Sequence, residues 1–224
     1  MRPQLVVFDM AGTTVYDGDA VRSCFRATLA DADLSAAPEV INAVMGLPKP
    51  EAIRRLAGPG VPAQRIAAIH EDFVARMKRY YDTNSNVREA DGASALFARL
   101  RGAGVKVALD TGFSRPIVDV LLHRLGWRHG EAIDASVTSD EVARGRPHPD
   151  MILHLMRAQA VGDPRAVAKV GDTPVDLQEG TAAGCGWVVG ITSGTHTREQ
   201  LARLSHTHLI DSLAELPGLL GLAE

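Results

Sequence analysis

Carboxylates and hydroxyls recur in this sequence directly after short apolar runs. Asp9 follows Leu5-Val6-Val7-Phe8, and Asp110-Thr111-Gly112 follows Val105-Lys106-Val107-Ala108-Leu109. Gly171-Asp172-Thr173-Pro174-Val175-Asp176 follows a third run, Thr192-Ser193-Gly194 follows a fourth, and a cation stands in Gly145-Arg146-Pro147. Two carboxylates brought to one pocket from different segments favour Mg²⁺, which takes oxygen ligands and keeps waters or substrate phosphate in its shell. A carboxylate can also attack phosphorus, giving an aspartyl-phosphate. A hydroxyl, a cation and a metal around a phosphoryl group supply the positioning and charge neutralisation that its transfer needs.

These residues need a scaffold that gathers them. The runs at 5–8, 105–109, 166–170, 187–191 and, more weakly, 208–210 are rich in Val and bounded by turn residues, as buried strands are. Helical spacing of apolar residues covers 93–100, 117–125 and 151–159. Strand alternating with helix implies an α/β fold, a Rossmann-like parallel sheet covered on both faces. In such a sheet ligands sit beyond the carboxyl ends of the strands, where the polar motifs fall. Residues 18–88 break the rhythm. They hold no convincing strand, and 20–31, 38–45, 51–56 and 62–81 read as helices. An inserted all-helical cap domain at 18–88 is therefore expected over a core domain formed by 1–17 and 89–224.

The chain has 224 residues with 24 basic and 27 acidic side chains, a formal net charge of -3. That balance lacks the basic footprint of a nucleic-acid binder. Charged residues at 23% and hydrophobic ones at 46% suit a globular protein rather than a disordered one. No stretch reaches the ~18–20 apolar residues of a membrane span, and the first residues do not read as a signal peptide. Cys24 and Cys185 are too few for a disulfide framework. A cytoplasmic location is expected. The basic and aromatic stretch at 76–81 reads as the solvated end of a long helix with its rings turned inward. Gly184-Cys185-Gly186 precedes a strand instead of following one, unlike a dinucleotide loop.

The four motifs, in this order and at strand ends, resemble those of the haloacid dehalogenase superfamily over essentially the whole chain. The resemblance implies that Asp9 is the nucleophile and that Thr111 and Arg146 bind the phosphoryl group. It also implies Mg²⁺ held by Asp9, Asp172 and the backbone carbonyl of Ala11, with Asp176 in support. Phosphatases of the superfamily carry a second Asp two residues after the nucleophile as general acid and base, and here that position is Ala11.

Asp-x-Ala-Gly-Thr instead resembles the phosphonatases, which cleave a carbon–phosphorus bond after a lysine forms a Schiff base with an aldehyde. The leaving group departs as an enamine, so no acid is needed to protonate an oxygen. Val44-Met45-Gly46-Leu47-Pro48-Lys49 is similar to the segment that presents that lysine, which falls on Lys49. Thr13, Met45, Gly112 and Lys49 are expected to line the substrate, a small phosphonate or phosphorylated metabolite. Two positions depart from the phosphonatase pattern. Ala52 stands where a His is expected, and Phe113 where a Tyr is. The resemblance further implies a homodimer paired through the cap. A phosphatase of phosphoglycolate type and a weakly catalytic, phosphate-binding regulatory protein are the alternative expectations.

Overall fold

A computed structural model describes residues 2–222. Met1, Ala223 and Glu224, at the ends of the expected core segments, lie outside the described residues. In chain order the elements are β1 (Leu5–Phe8), β2 (Val15–Tyr16), α1 (Ala20–Asp31), α2 (Pro38–Asn42), α3 (Lys49–Ala57), α4 (Ala63–Thr83), β3 (Arg88–Glu89), α5 (Ala93–Gly102) and β4 (Lys106–Thr111). There follow α6 (Arg115–Leu125), β5 (Ala135–Thr138), α7 (Asp150–Ala158), β6 (Val167–Gly171), α8 (Pro174–Ala183), β7 (Trp187–Ile191), α9 (Arg198–Leu201), β8 (His208–Ile210) and α10 (Leu216–Leu219).

Six strands form one parallel sheet in the order β5-β4-β1-β6-β7-β8. β1 is central and buried along its whole length. Val6 and Phe8 enter one apolar cluster while Leu5 and Val7 enter another, so both faces of the sheet are covered. From β1 the chain winds outward to β4 and β5 on one side and to β6, β7 and β8 on the other. The strand order therefore switches direction at β1, the place where open α/β sheets bind ligands. Register completes the arrangement. Phe8 pairs with Leu109 on one side and Val170 on the other, so Asp9, Asp110 and Gly171 stand at one level.

Three strands escaped the sequence reading. β5 is a four-residue edge strand, Ala-Ser-Val-Thr, with too little apolar pattern to signal itself. Its pairing carries β4 on through Thr111, two residues beyond the apolar run. β2 and β3 are two residues each and pair antiparallel, Val15 with Glu89 and Tyr16 with Arg88. The all-helical stretch α1–α4 lies between them. Its helices match the expectation with shifted ends: α2 stops at Asn42, α3 begins at Lys49, and α4 runs on to Thr83. Phe25 and Phe73 stack at 4.6 Å and join α1 to α4. Tyr81 of α4 meets Phe113 of the core edge-on at 5.9 Å.

Candidate active site

Beyond β1 the chain makes a tight turn in which the amides of Thr13, Thr14 and Val15 all donate to the Met10 carbonyl. Thr14 Oγ1 donates to the Asp9 carbonyl at 2.8 Å, fixing the start of the loop. Gly12 adopts φ +90°, and a Cβ there would run into the Asp172 carboxylate. Gly194 meets the same carboxylate from the other side. The two glycines let both loops close on Asp172, which is fully buried. Its oxygens accept from Thr13 Oγ1 at 3.2 Å and from the Thr195 amide at 2.6 Å. Among the described residues no cation pairs with it.

Asp9 is 5% exposed and accepts from Arg146 Nη1 at 2.6 Å. The Arg146 guanidinium is buried and also meets Asp176 at 2.9 Å, Glu179 at 3.0 Å, the Asp110 carbonyl at 2.9 Å and the Asp110 carboxylate. The peptide joining Arg146 to Pro147 is cis. Lys169, in the middle of β6, reaches Asp110, Asp176 at 3.1 Å and Glu179 at 3.3 Å. Oxygens of Asp9, Asp110 and Asp176 lie within 4.8 Å of one another. Arg146 and Lys169 serve that group, and among the described residues Asp172 beside it is left without positive charge. Asp176 also caps α8, accepting from the Thr173 amide at 3.1 Å and from Thr173 Oγ1.

Burial pushes Asp9 up to about 7. Arg146 opposes the shift, and repulsion from Asp176 and Asp172 adds to it. Burial and then repulsion from Asp176 raise Asp172 to about 6, against the hydrogen bonds from Thr195 and Thr13. Asp110 behaves oppositely. Burial favours its neutral form, but Arg146 and Lys169 together hold it below the usual carboxylate range.

The helical insert meets this platform at Gly112, whose carbonyl accepts from the Lys49 amide at 3.2 Å. A Cβ on Gly112 would overlap the Leu47 and Gly46 carbonyls, so only glycine allows that approach. Lys49 opens α3 and is 3% exposed. Its ammonium donates to the Leu47 carbonyl at 3.1 Å and lies 4.9 Å from the Phe113 ring centroid and 5.8 Å from that of Phe25. Among the described residues no carboxylate lies within ion-pair distance of it. Burial lowers Lys49 to about 8, against the pull of Asp9. Ala52 and Phe113, where polar partners were expected, are buried apolar groups. Desolvation lowers the lysine in their place.

Asp9, Ala11, Met45, Lys49, Thr111 and Thr173 line one cavity of about 20 Å³, together with Gly112 and Phe113. A cleft of about 400 Å³ adjoins it and shares Ala11, Val21, Met45 and Thr195. The structure thus gathers Asp9, Ala11, Met45, Lys49, Thr111 and Gly112 around one space. Arg146 and Asp176 stand directly beneath Asp9. Thr13 is buried and reaches the site through Asp172. Thr111 Oγ1 accepts from the Phe113 amide at 3.2 Å, and Oγ1 keeps its own proton to donate.

Sequence reasoning placed Asp110 at a strand end without a role, and missed Lys169, Glu179 and Thr195. For Lys169 a signal was present, because a lone lysine in an apolar strand must be paired if it is buried. For Glu179 the signal was the glycine after it, in the middle of a helix.

Residues 3–184 match the family model of haloacid dehalogenase-like hydrolases. The phosphonoacetaldehyde hydrolase of Bacteroides fragilis is 30% identical, over 95% of this chain and 86% of its own length. A protein of Dickeya dadantii named probable phosphatase IndB is 29% identical, over 97% of this chain and 93% of its own. The crystal structure of a phosphonoacetaldehyde hydrolase-like protein from Oleispira antarctica superposes with a TM-score of 0.87 at 23% identity, covering 99% of this chain and 92% of that one.

Proposed function

This chain belongs to the haloacid dehalogenase-like hydrolases, and on that premise we propose that it cleaves the carbon–phosphorus bond of a small phosphonate bearing a β-carbonyl, of the phosphonoacetaldehyde type. The observation that carries this reading is Lys49: a buried amine without a carboxylate partner, in the same cavity as Asp9. An ordinary lysine is almost wholly protonated near neutrality, whereas one held near 8 presents a useful fraction of free amine.

The neutral Lys49 amine adds to the substrate carbonyl and, with uptake of one proton, loses water to leave an iminium. Asp9 then attacks phosphorus. The carbon–phosphorus bond breaks, and its electron pair moves into the iminium to give an enamine. Protonation of the enamine and hydrolysis of the imine release the aldehyde and regenerate Lys49. Water cleaves the aspartyl-phosphate to free Asp9 and phosphate. Arg146 and Thr111 orient the phosphoryl group and offset its charge. Ala11 suits this path, because no oxygen leaving group has to be protonated.

The residues fit a hard divalent cation. Asp9, Asp172 and the Ala11 carbonyl are oxygen donors, and burial of Asp172 without a cation leaves a charge that such an ion would offset. Mg²⁺ held there would supply charge neutralisation at the transferring phosphoryl group.

Residues 18–88 are read as the cap, and 1–17 with 89–224 as the core. The two-stranded β2–β3 pair at the junction supports this division. A cavity of about 20 Å³ has room for about one water. Entry of a phosphonate therefore requires the cap to swing away from the core.

The Dickeya relative's name favours a second reading, a small-molecule phosphatase. A phosphate-release screen over phosphonoacetaldehyde and small phosphate esters separates the two. The phosphonatase reading expects release from the aldehyde, a borohydride-trapped adduct on Lys49, and loss of release in Lys49→Arg, which keeps the charge but forms no productive imine. Asp9→Asn should lower kcat at least ~10³-fold, as loss of a covalent nucleophile does. Ester hydrolysis that survives Lys49→Arg, with no trapped adduct, would move the protein to the phosphatases.

A further inference from the structure

Beneath Asp9 lies a buried charge cluster that the proposed chemistry does not use. Asp110 on β4, Lys169 on β6, Asp176 and Glu179 on α8 and the Arg146 guanidinium have no exposed side-chain surface. Cys185, after α8, borders the cluster, and burial pushes its thiol up to about 12, so it stays neutral. Glu179 Oε2 is well satisfied, accepting from Arg146 Nε at 3.0 Å and lying 3.3 Å from Lys169 Nζ.

Glu179 Oε1 and Asp110 Oδ2 are different. Each is buried with no donor, and the two carboxyls meet around the same Lys169 ammonium and Arg146 guanidinium. Two bare acceptors this close together out of water would be strongly unfavourable. One proton between them satisfies both.

We infer that Glu179 is a neutral acid that donates its proton to Asp110 Oδ2, and that with Lys169 it positions Arg146 against Asp9. Asp110 and Asp176 then both face Arg146 and Lys169. Glu179 accepts from Arg146 Nε on one edge of the guanidinium, and Asp110 binds Nη2, which leaves Nη1 to Asp9 and Asp176. Burial followed by repulsion from Asp110 raises Glu179 well above the usual range, in keeping with this assignment. The neighbouring glycine supports the arrangement sterically. A Cβ on Gly180 would lie 2.9 Å from Lys169 Cβ, so the helix gives up a side chain to admit the lysine.

The positioning role rests on the reading of Asp9 as nucleophile. The proton itself does not. The test therefore pairs a measurement of the proton with a measurement of turnover. Infrared spectra of the wild type and Glu179→Gln are compared at pH 8. A protonated-carboxyl band present in the wild type and lost in the variant is expected, and its absence overturns the neutral-acid assignment whatever the enzyme does.

Turnover is followed with p-nitrophenyl phosphate and phosphonoacetaldehyde. Glutamine reproduces a neutral acid, with its amide donating to Asp110, so Glu179→Gln should stay within a few-fold of wild-type kcat. Glu179→Ala releases the guanidinium and should lower kcat on the order of 10²-fold with little change in KM, as small misplacements do. Loss of activity in Glu179→Gln with an intact fold overturns the proposal, and that variant decides even if the alanine protein does not fold. Equal kcat in the Gln and Ala variants overturns the positioning role. An Asp9→Asn control as active as wild type would instead overturn the nucleophile reading, leaving the infrared result standing.

Discussion

At the scale of single residues the proposed reaction depends on how far burial moves a proton. Lys49 has no acid against it and sits between Phe113 and Phe25, so desolvation dominates and lowers it to about 8. The sign follows directly. Imine formation needs the neutral amine, so its rate should rise with pH, reach half its maximum near 8 and flatten above. The rate of borohydride trapping on Lys49 against pH checks this, and a midpoint at or above 10 would contradict it. The same depression bears on stability. Between about 8 and 10.5 the unfolded chain holds a proton on this lysine that the folded chain has lost. Stability therefore rises with pH across that window, and the cost of burying the charge is fully present below it.

At the scale of elements, the strands present the chemistry and the glycines make room for it. β1, β4 and β6 run in register and end within two residues of one level, so Asp9, Thr111 and Asp172 need no long loops to meet. α8 carries Gly180 in mid-helix, where alanine is favoured by ~1 kcal/mol on propensity. The close approach of Lys169 reverses that preference. Gly180→Ala should destabilise the protein by about 1–3 kcal/mol, the usual cost of overpacking. Gly102→Ala, with no atom within 4 Å of the added carbon, should be neutral or stabilising. Chemical denaturation of both variants compares them, and a stabilised Gly180→Ala would show that Lys169 is free to move.

At the scale of the whole molecule the site joins the core to the helical insert. The lysine comes from the helical insert and the carboxylates and arginine from the strand ends, and the two parts touch at Gly112 and at the Tyr81–Phe113 pair among other places. No described helix is long and apolar enough to cross a membrane. A cation bound at Asp9 and Asp172 would favour the folded state by mass action, by about 2.7 kcal/mol at a hundred times its Kd. For a chain of this length that corresponds to a rise in Tm on the order of 5–10 °C. Melting curves with Mg²⁺ and with chelator should show the rise, and Asp172→Ala should abolish it. Identical curves in all three conditions would argue against a metal at these residues.

The sequence alone determined five of the six strands of the sheet and the polar residues that follow them. Buried parallel strands read as local Val-rich runs, and the polar residues that end them cannot hide in a sequence pattern. It also put Ala11 where the resembling phosphatases carry an acid and Lys49 in a segment similar to that of the phosphonatases, although Lys49 opens a helix instead of standing in a loop. Tertiary structure decided the rest. Arg146 meets Asp9 across 137 positions of sequence. Asp176 turns toward Arg146 and Lys169 as well as capping its helix. β5 becomes a strand only because β4 offers it an edge. The depth of Lys49 and the proton assigned to Glu179 depend on which groups surround them. Burial and charge are set by partners distant in sequence, and no local pattern records who those partners are.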